Sequence, residues 1–353
     1  MTSSDDLMIA SLGAATPIGR SAWACAAAAR AGLTGFASHP YMVDAVGLPI
    51  RVAALPWITP ERSIVERICD ALLSALREAL VPLQQIQPRP PIMLLLNLPP
   101  ARPGLPVDLA RQIGARLREQ LGGLFERVSV ATLGHAGALV GLQSAKALLE
   151  ARPDAMCVIA GADSYLEPDL LEWLEQTDQL HGAGERNNAW GFIPGEGAGA
   201  FLVAAPSLLR RLALAPMARV RGIGVAREAE LIGTGSVCTG VGLTAAVRGA
   251  VVGGLHEGEQ LSDVYCDMNG EPYRADEYAF LVTRTREHFV AASEFVSPAD
   301  CWGDVGAASG PLLVALACIA GVKRYSKGHA ALVWASSVNG ERAAVLLETA
   351  APA

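Results

Sequence analysis

The chain has 353 residues, of which 51% are hydrophobic and 18% charged, a balance that excludes a disordered chain and predicts a large folded interior. Its formal net charge is −7 and its 28 Lys and Arg residues are scattered, so we expect no nucleic-acid partner, because phosphate-backbone binding needs clustered basic residues. The seven cysteines are dispersed and odd in number, which is typical of reduced core thiols in a cytoplasmic protein rather than of a disulfide framework or a zinc site.

The start of the chain and its apolar runs predict a protein that does not enter a membrane. The opening stretch MTSSDDLMIASLG is acidic and leads directly into a short strand, whereas a secretory signal peptide has a basic start and an apolar middle. Apolar runs such as GPLLVALACIAG fall well short of the ~20 residues that a membrane span requires. We therefore expect a cytoplasmic protein without a membrane partner.

In chain order, apolar strand-like runs alternate with helical runs rich in Ala and Leu. The first half has strands at LMIASLG, PIMLLLNL, VSVATLG, AMCVIAGADS and GEGAGAFLVA, with helices predicted between them. The second half repeats this order more loosely, from RVRGIGVA to the closing strands HAALVWASS and RAAVLLETA. Strands that are apolar on both faces and alternate with helices predict an α/β fold whose sheets are covered on both sides. A junction near PSLLRRLALAPMA divides the chain into two similar halves, residues 1–205 and 206–353.

Three stretches resemble motifs of the β-ketoacyl-acyl-carrier-protein synthases, or ketosynthases. Residues 9–32, IASLGAATPIGRSAWACAAAARAG, are similar to the opening strand, turn and first helix of that family. Residues 158–164, VIAGADS, and 190–203, WGFIPGEGAGAFLV, resemble its two paired strands with a Gly-Glu-Gly-Ala-Gly turn. The resemblance implies the thiolase-like fold, in which two duplicated βαβαβαββ halves form five α-β-α-β-α layers. It also implies a homodimer in which the strand RVSVATLG pairs with its twin, which would cover an apolar sheet edge.

The Gly-Glu-Gly-Ala-Gly turn also has a physical interpretation of its own. Gly195, Gly197 and Gly199 allow close approach of neighbouring backbones, and Glu196 can accept hydrogen bonds from exposed amides of a tight loop. No Gly-Lys-Ser/Thr follows, and the next element is a strand, so this is not a phosphate-binding loop. We predict a structural turn.

The family's nucleophile is a cysteine at the start of a buried helix, where backbone amides and the helix dipole favour the thiolate. The stretch SVATLGHAGALVGLQSA fits the pattern Ser-x-Ala-Thr-x-Cys-x-x-Gly and places Gly134 at the cysteine position. The neighbouring His135 could replace the nucleophile, cap the turn or fill the emptied pocket. The resemblance therefore implies that the nucleophile is lost.

The family's two histidines, which stabilise the developing oxyanion and enolate, also have no counterpart here. In YCDMNGEPY, Asn269 stands at the first position, and an amide cannot exchange protons near neutral pH. In CWGDVGAASG, ungapped placement puts Gly303 at the second position, and a one-residue slip makes it Asp304. SPADCWG lacks the family's lysine, and SSVNGER replaces its gate loop. Losing every cooperating catalytic residue removes many orders of magnitude in rate, so we expect no Cys-His-His acyl transfer.

A different chemistry remains an alternative, because five polar residues are expected near the old site. Asp267, Asn269, Glu271, Asp304 and His135 sit at or near strand ends or helix starts that meet there in the family. Carboxylates placed together can support acid–base catalysis or bind a metal. Alternatively, Asp304 caps the following helix while Asp267, Glu271 and His135 are solvated or bond backbone amides. We expect no cofactor and no metal.

Four other side chains suggest structural rather than catalytic roles. Cys301 lies near the altered second-histidine site, but no histidine adjacent in sequence would activate it, which indicates a core or pocket-wall thiol. Trp190 and Trp302 flank motifs and could fill space vacated by acyl substrates. His181 is predicted to be exposed in the surface loop LHGAGERNNAW.

The favoured hypothesis is a catalytically degenerate ketosynthase-like protein that serves as a homodimeric scaffold or adaptor. Its protein partner could be an acyl-carrier protein or an active ketosynthase of a biosynthetic cluster. It could instead be a secreted effector, as for ketosynthase-like proteins that accompany type VI secretion clusters. The rival hypothesis is an enzyme, either a β-ketoacyl-acyl-carrier-protein synthase or acyltransferase with unconventional site residues, or a hydrolase that uses the carboxylates.

Overall fold

The structure is a computed structural model that describes residues 7–185, 187–232 and 234–350. The described residues form twelve strands and ten α-helices. The strands are β1 (Leu7–Ala15), β2 (Ala37–Val43), β3 (Pro49–Val52), β4 (Ile92–Asn97), β5 (Arg127–Ala131), β6 (Met156–Ser164), β7 (Glu196–Ala204), β8 (Ala218–Arg227), β9 (Asp263–Cys266), β10 (Phe295–Val296), β11 (Ala330–Ser336) and β12 (Glu341–Glu348). The expectations for residues 1–6 and for residue 186 of the predicted surface loop lie outside the described residues.

The helices alternate with these strands as the sequence pattern predicts. They are α1 (Ala22–Arg30), α2 (Ile64–Ala79), α3 (Leu109–Leu121), α4 (Gly137–Ala151), α5 (Pro168–Gln176), α6 (Pro206–Arg211), α7 (Val241–Val251), α8 (Pro272–Thr285), α9 (Ala299–Trp302) and α10 (Ser309–Val322). Helix α2 begins with a capping box in which the Ser63 and Glu66 side chains each bond the other's backbone amide, which satisfies amides that the first turn leaves free.

Ten of the strands form one sheet in the order β10-β9-β11-β12-β8-β1-β7-β6-β4-β5. The two ends of this sheet repeat one another. Strand β4 pairs in parallel with β5 and β6, just as β9 pairs in parallel with β10 and β11. Strands β7 and β12 then add in antiparallel orientation, and β1 meets β8 through only three residue pairs. This repeated topology confirms the predicted duplication of an α/β unit.

Five layers of secondary structure stack in the order α-β-α-β-α. Helices α4 and α10 lie in the middle and contact strands of both halves of the sheet. Helix α2 covers β1, β6 and β7 on one outer face, while α7 covers β8 and β12 on the other. Because α10 is enclosed between the two halves of the sheet, it is buried from Ser309 to Gly321, which explains why its sequence is apolar all round. The five-layer thiolase-like arrangement is therefore as predicted, whereas the boundary between residues 205 and 206 stays a prediction.

The stretch predicted as a glycine turn is instead the start of β7, which begins at Glu196, and it packs against the second half of the chain. A Cβ atom at Gly195 would lie 2.5 Å from the Trp302 carbonyl oxygen, and one at Gly199 would lie 2.8 Å from Cβ of Pro311. Both distances are too short for any residue with a side chain. Glu196 accepts a hydrogen bond from the Leu55 backbone amide (2.7 Å), as predicted for its side chain. It also forms an ion pair with Arg67 within the core that the sequence did not indicate.

Candidate functional site

Residue 134 occupies a sharp turn between the edge strand and a central helix. Strand β5 ends at Ala131, and Gly134 opens a short 3₁₀ turn that leads directly into α4. Gly134 has a φ of +69°, a left-handed conformation that costs residues with a Cβ about 1–2 kcal/mol. The backbone therefore favours glycine here for conformational reasons. Space is not the constraint, because a Cβ would meet its nearest neighbours, Pro100 and Ser337, only at 3.5 and 3.6 Å.

His135 forms a buried pair with Asp304 from the second half of the chain. Its Nε2 atom lies 2.8 and 3.0 Å from the two carboxylate oxygens of Asp304. Both residues are buried, at 3% and 4% exposure. Asp304 also accepts a 2.8 Å hydrogen bond from the Gly306 amide, so it caps the 3₁₀ turn before α10 as the alternative role predicted.

The proton arrangement of this pair follows from the carboxylate. Burial raises the pKa of the Asp304 carboxyl, but His135, the Arg274 charge and the Gly306 amide outweigh burial and hold that pKa well below its usual range. An ionised carboxylate only accepts hydrogen bonds, so Nε2 of His135 carries a hydrogen. In the neutral imidazole, the lone pair is consequently on Nδ1.

The polar residues of the predicted C-terminal cluster converge on the same point. The Asn269 side-chain amide donates to Asp304 (2.6 Å) and to Glu271 (2.9 Å). Arg274 on α8 donates to Glu271 (3.2 Å) and to Asp267 (2.8 Å). The structure thus brings together all five residues that the sequence pattern grouped. Asp267, Glu271 and His135 are buried at 6%, 6% and 3% exposure, so the alternative that they are solvated is wrong, because the ion-pair network encloses them.

Arg274 is a site residue that the sequence argument missed. It is 1% exposed and also donates to the Ser336 carbonyl oxygen at 2.9 Å, while its Nη2 atom lies 3.4 Å from Nε2 of His135. The available signal was its spacing, three residues after Glu271. The structure shows that α8 begins before the predicted helix, at Pro272, so these acidic and basic side chains meet on one face of its first turn.

A second missed pair, Arg102 with Asp163, lies on the N-terminal side of the site. Arg102 follows β4, donates to Asp163 at 2.5 Å and stacks over Tyr165 with 4.1 Å to the ring centroid. Asp163 also accepts from the Ala307 amide at 2.8 Å. An isolated acidic residue within the otherwise apolar stretch VIAGADS was the signal, because a buried carboxylate requires a partner.

These groups line a cavity of about 480 Å³. Its polar floor comprises Arg102, His135, Asp163, Glu271, Arg274 and Asp304, and its apolar wall includes Tyr165, Leu170, Trp173, Leu174, Phe192 and Val338. Gly134 opens onto it, whereas Asn269 and Gly303 do not line it. The space is thus not filled by the tryptophans proposed for that role.

Three sequence expectations about individual side chains have clear outcomes. Trp190 is 70% exposed, so the expectation that it fills the old substrate space is wrong. Trp302 is buried on α9 but contributes nothing to the cavity lining. His181 is half-buried rather than exposed, because its amide bonds the Phe192 carbonyl oxygen (3.0 Å) and holds the loop against the core.

Cysteine chemistry is not favoured anywhere in the described chain. All seven cysteines are free and buried, including Cys301, and none of them lines the cavity. Burial raises the pKa of every one of these thiols, to about 12 for Cys157 and Cys318. An activated nucleophile requires the opposite shift.

One group outside the cavity has the spacing of metal ligands. It consists of Glu228, Cys238 and Glu277, all buried. Its carboxylates already have protein partners, since Glu277 pairs with Arg342 at 2.5 Å and Glu228 accepts from the Gly242 amide at 2.8 Å. The adjacent guanidinium opposes a further cation, so this group does not indicate a metal centre.

In the part of the chain that the structure describes, no helix combines the length and apolar character needed to cross a membrane.

Comparisons with known proteins find similarity in structure only. No protein-family model and no curated protein sequence matches the chain. A chain of the AntDE:AntF complex, a type II PKS acyl-carrier protein with its ketosynthase bound to the hexaketide, superposes with a TM-score of 0.78 at 12% identity, covering 98% of this chain and 99% of that one. The ketosynthase from module 6 of the Bacillus subtilis 168 bacillaene synthase superposes with a TM-score of 0.77 at 16% sequence identity. The match covers 98% of this chain and 72% of that one. The ishigamide ketosynthase/chain length factor superposes with a TM-score of 0.72 at 18% sequence identity. The match covers 98% of this chain and 99% of that one.

Proposed function

We propose that this chain, which has the thiolase-like fold of the ketosynthases, is a noncatalytic member of that fold that serves as a dimeric scaffold or adaptor for other proteins. The observation that carries the proposal is Gly134, a residue without a reactive group that opens onto the cavity at the mouth of α4. Condensation through an acyl-enzyme requires a nucleophile at such a point.

The remaining groups around the cavity support the same conclusion. Among the residues that line it, His135 is the only histidine, and its Nε2 is committed to Asp304. A decarboxylative condensation needs donors that stabilise two developing negative charges, whereas the floor here is rich in carboxylates. Glu271 and Asp304 would oppose an enolate or oxyanion rather than stabilise it.

Intact-mass spectrometry tests the loss of acyl transfer. After incubation of the purified chain with acetyl-CoA or with an acetylated acyl-carrier protein, we expect the mass to be unchanged, because the thiols are buried and protonated. An active ketosynthase in the same experiment serves as the positive control. A stable acyl adduct on any residue of the cavity would overturn the proposal.

A Gly134→Cys variant shows that the test can detect a thiol in this position. The variant is expected to fold with a loss of about 1 kcal/mol, because the strain arises from φ alone and the nearest atoms lie at 3.5 Å or more. Under native conditions iodoacetamide should add once to the variant and not to the unaltered chain. Alkylation of the unaltered chain would show that a native thiol is reactive.

The proposed dimer rests on the open edge of the sheet. Strand β5 is the terminal strand, and Val130 on it is 39% exposed. A groove of about 160 Å³ next to it is lined largely by apolar residues of β4, β5 and α4. An apolar sheet edge left open promotes association, and a second copy of the chain that pairs through β5 would cover both features.

Substituting Val130 by Lys is expected to weaken that dimer at least about 100-fold, because two unpaired ammonium groups would be buried near the twofold axis. Light scattering across a dilution series measures the effect. Val107→Lys is the matched control, because Val107 is fully exposed in the loop between β4 and α3 and is not part of β5. A monodisperse monomer of the unaltered chain at micromolar concentration would contradict the dimer.

Two partner classes follow from this proposal. The structural similarity to an acyl-carrier-protein complex with its ketosynthase and to a ketosynthase/chain length factor supports a biosynthetic partner, either an acyl-carrier protein or an active ketosynthase. The other class is an effector of a bacterial secretion system. Co-purification with each class of partner from the native host distinguishes them.

A second candidate function is acid–base catalysis, and the buried His135 and Asp304 pair in an unfilled cavity favours it. A carboxylate that orients an imidazole is a common arrangement for a general base. If the chain hydrolyses esters or thioesters, His135→Ala and Asp304→Asn should both abolish turnover, with no covalent adduct. Turnover that survives both changes would exclude this candidate.

A further inference from the structure

The charged groups of the cavity do not balance. Two guanidinium groups, Arg102 and Arg274, contribute to the floor together with the carboxylates of Asp163, Glu271 and Asp304. Asp267 lies behind Arg274 and pairs with it. The four carboxylates outnumber the two guanidinium groups by two. When His135 is protonated, they still outnumber the cationic groups by one. A buried excess of negative charge favours a ligand that brings positive charge.

Two atoms of the floor have unused capacity to accept a hydrogen bond. Both hydrogen bonds to the Glu271 carboxylate, from Asn269 and Arg274, go to Oε2. Among the described residues none bonds its Oε1 atom, although the side chain is 7% exposed. Likewise, the described contacts of the His135 ring all use Nε2. A neutral imidazole with hydrogen on Nε2 therefore keeps a free acceptor on Nδ1.

The other two carboxylates of the floor already have hydrogen-bond partners. Asp163 accepts from Arg102 and from the Ser164 and Ala307 amides. Asp304 accepts from His135 and Asn269 in addition to its backbone cap. Asp163 and Asp304 thus have partners on both carboxylate oxygens, which leaves Oε1 of Glu271 to accept a hydrogen bond from a ligand. Arg102 keeps one donor, Nε, without a partner in the described ranges, but that atom is fully buried.

The wall above this floor suits an apolar body. Tyr165, Phe192 and Trp173 bring aromatic rings to the cavity, and Leu170 and Leu174 add aliphatic side chains. Tyr165 and Phe192 meet edge to face at 5.4 Å between ring centroids. Aromatic faces also attract cations. Because Arg102 already stacks on Tyr165, Trp173 and Phe192 are the rings of the wall that remain for such a contact.

We propose that this cavity binds a small organic amine, with its ammonium group donating to Glu271 and its apolar body against the wall formed by Tyr165, Trp173 and Phe192. Carboxylates and phosphates are disfavoured because they would add charge of the sign already in excess. The inference goes beyond the proposed function, because it does not depend on whether the chain transfers acyl groups.

Three probes of one shape test this proposal on the full chain. Isothermal titration calorimetry would compare 2-phenylethylamine, 2-phenylethanol and phenylacetate at neutral pH. For a ligand this small we expect the amine to bind with a Kd of about 1 mM. The alcohol should bind about 10-fold more weakly, because it lacks the charge, and phenylacetate should show no binding.

Variants separate the charge of the floor from the packing of the wall. Glu271→Gln is expected to weaken binding of the amine about 10-fold and to leave binding of the alcohol unchanged. Trp173→Ala should weaken the binding of both probes by the same factor, because it removes only apolar contacts. Glu172→Gln, an equal charge change on the exposed side of α5 next to Trp173, is the matched control and should change neither.

The comparison of probes on the unaltered chain keeps the proposal testable even if Glu271→Gln fails to fold. Absence of amine binding at about 10 mM, tenfold above the expected Kd, would overturn it. Equal binding of the alcohol, or tighter binding of phenylacetate, would overturn it as well, because either result would show that the excess carboxylate charge does not select the ligand.

Discussion

Replacing Arg67 by Leu is expected to lower the free energy of unfolding by about 3–5 kcal/mol, the largest class of effect for a single change in a core. Arg67 on α2 holds Glu196 through two hydrogen bonds, at 2.8 Å and 2.5 Å. Both residues are almost fully buried, at 5% and 1% exposure. Removing the guanidinium would leave a carboxylate in the interior with only the Leu55 amide and the Ser164 hydroxyl as partners.

Chemical denaturation measures this loss, and Arg62→Leu provides the control. Arg62 lies just before the same helix and pairs with Glu66 and Asp70, but its side chain is 42% exposed. Its removal should cost less than about 1 kcal/mol. The double change Arg67→Leu with Glu196→Gln should recover part of the loss, because it removes both charges. If Arg67→Leu and Arg62→Leu lowered the free energy of unfolding equally, Glu196 would be either uncharged or in contact with solvent.

Arg274→Met is expected to cost about 3–5 kcal/mol at neutral pH for a similar reason. Arg274 is the cation shared by Asp267 and Glu271, so its loss leaves two buried carboxylates near a third, Asp304. Methionine preserves much of the apolar stem. Arg286→Met, a change of the same kind at an exposed residue just after α8, should have little effect.

The pH dependence distinguishes lost charge pairing from lost packing. Without Arg274 the two carboxylates would lie buried with no cation beside them, and burial favours the neutral, protonated form of a carboxyl group. The variant would bind protons more readily when folded than when unfolded, so the deficit relative to the unaltered chain should shrink as the pH falls from neutral to about 5. A deficit that stays constant over this range would indicate a packing effect instead.

The fold was accessible from sequence because each strand pattern has a direct physical cause. Strands such as β6 and β7 are buried on both faces, so both faces must be apolar, and that pattern is visible without coordinates. The short β10, only Phe295–Val296, shows the limit of this signal. Two residues carry no periodicity, and this strand exists because β9 offers it a parallel partner.

The site was accessible only in part. The position of Gly134 followed from the elements around it, because a strand, a turn and a helix can be read locally. Arg274 and Arg102 were missed, because a long basic side chain is ordinarily expected at the surface and only the fold shows that it is enclosed. Trp190 was misjudged for the opposite reason, since a large ring suggests burial although this one lies in an exposed loop.

By itself the sequence determined the order of strands and helices, the duplicated architecture, and a glycine at the turn between an edge strand and a central helix. These features depend on apolar spacing and on local backbone conformation, which neighbouring residues specify. The tertiary structure alone decided that His135 meets Asp304 across 169 positions of sequence, that Arg274 neutralises two carboxylates, and that the cavity stays open. Those outcomes depend on how two halves of the chain pack face to face, and a linear pattern does not encode the distances between them.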